Sequence, residues 1–142
     1  MKKHKKFIIF ISIFLIVILT IFIVITYIYS SQEKNFKVNI QQAKEVHIES
    51  GNTGEFILLS KEDIEKLVNK IEEISFKPAL FPERRVGWSY EISYRIGEND
   101  WWSMVFGGGY IKISHNGDTK SYQYNRELAE YVGTMYKELG GK

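Results

Sequence analysis

The chain has 142 residues, 44% of them hydrophobic and 15% aromatic, with 19 basic and 17 acidic side chains. Four of the 19 basic residues sit in the opening MKKHKK, and from Ser30 onward 15 basic residues face all 17 acidic ones, so the charge balance gives no sign of nucleic-acid binding, which needs a basic face on the folded domain. Cysteine is absent, which excludes disulfides, thiol nucleophiles, thiolate metal centres and a lipid-modified cysteine anchor.

Residues 7–29, FIIFISIFLIVILTIFIVITYIY, form a 23-residue run without a charge. About 20 such residues in a helix cross the hydrocarbon core of a bilayer, and a helix satisfies its own backbone there. Ser12, Thr20 and Thr26 are the polar exceptions, and their hydroxyls can bond back to the helix. Tyr27 and Tyr29 fall where interfacial aromatics belong. The run exceeds the apolar region of a cleaved signal peptide, and Ser30-Ser31 follow Ile28 and Tyr29 without an A-x-A pattern. The expectation is a signal anchor, with residues 1–6 as a basic cytoplasmic tail and the rest of the chain extracytoplasmic. The lipid bilayer is then the first partner.

Residues 30–45 are polar apart from Phe36, Val38 and Ile40, and read as a stalk. The folded domain is expected over residues 46–142. VHIES and EFILLS flank a Gly51-Asn52-Thr53-Gly54 turn cluster. A turn at Asn52-Thr53 pairs Ile48 with Ile57 and Val46 with Leu59, placing all four on one face. A helix follows: Ser60 caps it, Asp63 can complete a capping box, and Ile64, Leu67, Val68, Ile71 and Ile74 recur at helical spacing. Pro78 and Pro82 frame a loop.

WSYEISYRI alternates, with Trp88, Tyr90, Ile92, Tyr94 and Ile96 on one side. WWSMVF, YIKIS and KSYQY continue a four-strand meander whose Asn116-Gly117 is a strong hairpin signal. In FGGGYIKIS, a two-residue turn at Gly108-Gly109 puts Met104, Phe106, Ile111 and Ile113 together on the apolar face; a three-glycine loop would pair Met104 with Lys112 instead. The turn is therefore favoured over a phosphate loop, which would need a helix after the glycines. Asn125 caps a closing helix with the stripe Leu128, Tyr131, Val132, Met135 and Leu139. The expected fold is α+β: a transmembrane helix, then a ββ-α-ββββ-α domain, an antiparallel sheet with two helices on one face.

Candidate chemistry is sparse. His47 and Glu49 share a strand face, and His115 and Asp118 flank a turn, but neither pair has a third metal ligand. No nucleophile or metalloprotease motif occurs, and no cofactor is implied. The sheet face opposite the core is more informative. It carries Glu91, Arg95, Trp101, Val105, Tyr110, Lys112 and Gln123, and aromatics among charges suit a binding surface. Arg84 and Arg85, in the proline-framed loop, could meet an anionic headgroup or cell-wall polymer. The site reading is thus Trp101, Tyr110, Lys112, Arg95, Arg84 and Arg85, for an envelope protein or a cell-wall ligand.

The basic N-terminus, one anchor, LLSKEDIEKLVNKIEEI, the strand meander and NRELAEYVGTMYKEL together resemble small membrane-anchored extracytoplasmic proteins of low-GC Gram-positive bacteria, whose soluble domains have no assigned function. Members are often lipoproteins; without a cysteine, this chain matches only the anchored form. The resemblance implies no catalytic residues. The function expected is a membrane-anchored binding domain, non-catalytic. The alternatives are an envelope enzyme or metal-dependent protein, and an accessory subunit acting through its transmembrane helix.

Overall fold

The computed structural model describes residues 2–81 and 87–142. The chain divides into two compact units, Met1–Ser31 and Gln32–Lys142. The first is helical throughout its described residues and belongs to α1 (Lys2–Gln42). That helix is long and apolar enough to cross a membrane. Within it, the hydroxyls of Ser12, Thr20 and Thr26 donate to the carbonyls of Ile8, Ile16 and Phe22 respectively, each four residues earlier, at 3.0, 2.9 and 2.9 Å. Each polar side chain is therefore satisfied without leaving the helix.

The second unit is an α+β domain. After the end of α1 come β1 (Val46–Ser50), β2 (Phe56–Leu58), α2 (Lys61–Glu72), β3 (Trp88–Ile96), β4 (Asp100–Gly107), β5 (Tyr110–His115), β6 (Asp118–Gln123) and α3 (Arg126–Glu138). The six strands form one sheet in the order β2-β1-β3-β4-β5-β6, each pair antiparallel. Side-chain alternation divides the sheet into a core face and an outer face. Val46, Ile48, Ile92, Tyr94, Trp102, Met104, Phe106, Ile111, Ile113 and Tyr122 make the buried core face.

The hairpin registers follow from turn chemistry. Ile48 pairs with Ile57, and the Ser50 and Glu55 ends close through a bond from Ser50 N–H to the Glu55 carbonyl at 2.9 Å. In the glycine run, Phe106 pairs with Ile111 and Met104 with Ile113. Gly108 and Gly109 hold φ of 60° and 81°, the mirror-image turn that matches strand twist. Gly107 has a different reason. A Cβ there would lie 2.4 Å from the Trp88 Cα, beside the irregular register at Trp88 and Tyr90. Asn116, at φ 47°, and Gly117, at 93°, make the same kind of turn between β5 and β6.

Both short helices begin as their caps require. Ser60 Oγ accepts from the Asp63 N–H at 3.2 Å, and Asn125 Oδ1 accepts from the Leu128 N–H at 2.9 Å. α2 buries Leu67, Val68 and Ile71. α3 buries Leu128, Val132 and Met135, but its stripe includes Ala129 and Tyr136 instead of Leu139, which is exposed. Tyr136 packs on Tyr90 with ring centroids 5.5 Å apart, which accounts for its place on the buried side.

The stalk expected over 30–45 takes a different form. Residues 32–42 are helical and belong to the second unit, which starts at Gln32 and not at Val46. Phe36 and Ile40 are fully buried. Phe36 meets Tyr94 and Trp102 edge-on at 5.3 and 6.2 Å, and its carbonyl accepts from the Tyr94 hydroxyl at 2.9 Å. Buried Gln32 donates to the Asp118 carbonyl at 3.2 Å. The core face therefore receives a third helical segment besides α2 and α3. Polar spacing hid it, because only one narrow side of this segment is apolar.

Candidate functional site

The outer face is built from the strand residues that alternate away from the core. Arg95 pairs with Trp101, Val105 with Lys112, and Gly107 with Tyr110. All four outer-face candidates, Arg95, Trp101, Tyr110 and Lys112, thus share one side of the sheet. They do not converge. Tyr110, opposite Gly107, stands roughly 20 Å along the strands from Trp101 at about 3.3 Å per residue. Between them lie Ser93, Ser103 and Val105. Arg84 and Arg85 lie outside the described residues.

Trp101 and Arg95 find other neighbours. A cavity of about 450 Å³ is lined by Lys44, His47, Arg95 and Trp101, with Glu45 and Gln42 contributing. His47 arrives because β1 pairs with β3, placing it opposite Ser93 on the outer face. Its ring stands edge-on to the exposed Phe56 at 5.4 Å. Trp101 is 46% exposed, yet its backbone is fixed: its N–H donates to Asn116 Oδ1 at 2.9 Å, and its carbonyl accepts from the Asn116 N–H at 3.1 Å. The turn that closes the next hairpin thus clamps the tryptophan.

Further along the outer face, Glu91 and Glu49 face each other across β3 and β1. Burial holds the Glu91 carboxyl above its ordinary range; a hydrogen bond from Ser103 opposes the shift, and the Glu49 charge adds to it. On the core face, burial and then Asp100 push the Tyr94 hydroxyl upward, so it stays protonated as the donor to Phe36.

The metal-site alternative loses its geometry. His47 lies on the outer face, whereas His115 stacks on Trp102 at 4.0 Å on the core face and contacts Asp100 at 2.6 Å. Asp118 bonds Lys120 instead, at 2.8 Å. No cluster of three or more His, Asp or Glu side chains suited to a metal occurs among the described residues.

No family model matches the chain, and no curated protein matches it. A solved structure described as "Putative Lipoprotein from Clostridium perfringens" is similar, with a TM-score of 0.49 and 9% identity over 72% of this chain and 95% of that chain.

Proposed function

We propose that this chain is a single-pass membrane protein with a cytoplasmic N-terminus, whose C-terminal unit binds envelope material outside the cell. The lysines of MKKHKK beside an uncharged 23-residue run support the anchor and its orientation. The observation that carries the binding role is the exposed Trp101 on a pocketed sheet face, while the contacts of the helices fall on the other face. A half-exposed indole on a fixed backbone offers a large contact area at little entropic cost. The reading is non-catalytic, since the pocket assembles cations and an aromatic ring without a nucleophile and base in contact.

Photo-crosslinking in the native membrane tests this. A photoreactive residue at Lys112 or Thr119, on the outer face, should yield adducts of defined mass. The same residue at Lys66 or Thr134, on the helices, should yield none. Equal labelling from both sets, or no adduct from the sheet, overturns the reading.

A further inference from the structure

We propose that the pocket at the Trp101 end of the sheet takes an anionic polyol: a phosphate or carboxylate carried on a sugar or glycerol unit. This rests on the binding role proposed above and names the chemistry of its ligand. Its volume, about 450 Å³, lies within the roughly 300–1,000 Å³ of small-molecule sites. Four elements of the chain converge there: the segment before β1 supplies Lys44, β1 supplies His47, β3 supplies Arg95 and β4 supplies Trp101.

Charge selects the ligand class. Neither Lys44 nor Arg95 has an ion-pair partner among the described residues, and the pocket holds one carboxylate, Glu45, against them. With two cations against one carboxylate the lining is net positive, which disfavours a metal ion and favours an anion. The guanidinium of Arg95 presents paired N–H donors matching the oxygens of a phosphate or carboxylate, and Lys44 adds a mobile point charge. Trp101 supplies a flat apolar face against which the C–H side of a polyol can lie, and its amphipathic ring tolerates the wet surroundings. The Asn116 bonds fix the backbone from which Trp101 projects, and the His47 ring packs edge-on to Phe56, so part of the lining is ordered before any ligand arrives.

The test uses the full chain in phosphatidylcholine nanodiscs, with the Trp101 indole N–H resonance as readout, assigned through Trp101→Phe. Titration with sn-glycerol 3-phosphate and with glucuronate should shift it saturably. Glycerol and glucose should not. Arg95→Gln should weaken binding about tenfold or more, the range set by losing a charge-assisted hydrogen bond. Lys34→Gln, the same charge change on an exposed stretch of α1, should leave binding unaltered. Equal shifts with the neutral probes, no saturation with either anion, or equal losses from Lys34→Gln and Arg95→Gln would overturn the proposal. Nanodiscs containing phosphatidylglycerol separate the sources: loss of the soluble probes' binding assigns the pocket to a lipid headgroup, unchanged binding to a free anion. If the anions fail while the sheet-face crosslinks persist, the pocket's assigned chemistry alone falls. If the crosslinks are absent, the binding role itself falls.

Discussion

Glu91 illustrates how an outer-face residue can be kept at a cost. Its folded form holds a proton more tightly than the unfolded chain does, because burial penalises the carboxylate and Glu49 repels it. The sign follows from linkage: the destabilisation is present above the folded pKa and disappears as pH falls below the ordinary value of 4.5. Glu91→Gln should therefore raise the melting temperature at neutral pH, with the gap over the parent closing on acidification through that window. A gap independent of pH would refute the assignment. At Gly109, φ of 81° is a backbone state that L side chains resist. Gly109→Val should cost about 1–3 kcal/mol in denaturant unfolding, whereas a solvated change such as Lys77→Gln should stay within about 0.5 kcal/mol.

Among the elements, the end of α1 contributes more than its composition suggests. Phe36 is wholly buried among Tyr94 and Trp102, whereas Val38, two residues on, is 43% exposed. Phe36→Ala should cost about 3–5 kcal/mol, and Val38→Ala well under 1, in chemical denaturation of the full chain. Similar small effects from both would mean that the segment is a stalk after all. The sheet edges are handled differently. On the β6 side, Lys77 and Ala79 bond to Gln123 and Ser121 at 2.8 and 2.9 Å, so a loop segment covers that edge. On the other side, β2 is limited to Phe56–Leu58, and a short edge strand offers little template for pairing with another chain.

For the molecule as a whole, the testable quantity is which side of the membrane each flank of the proposed span occupies. The chain has no cysteine, so a single introduced thiol reports without background. Ser75→Cys, exposed on the domain surface, should react with a membrane-impermeant maleimide in intact cells. Lys5→Cys should react only after permeabilisation. The reverse pattern would invert the orientation, and labelling of neither in intact cells would place both positions inside.

Much of the fold was legible because short-range chemistry decides it. Asn116-Gly117 and Gly108-Gly109 demand positive φ, so they set the hairpin registers, and those registers sort the residues of β4, β5 and β6 between the two faces. Ser60 and Asn125 mark helix starts for an equally local reason. The uncharged run of residues 7–29 needs only its length and composition to be read as a span. The tertiary structure alone decided two things. Burial of Phe36 and Ile40 depends on a core face completed by strands far along the chain, so their polar neighbours disguised them. The pocket depends on β1 lying beside β3, which brings His47 and Lys44 to Arg95 and Trp101 across an intervening helix and loop. Pairing at that separation leaves no periodic trace in the sequence, since it is set by how the sheet assembles and not by any local turn.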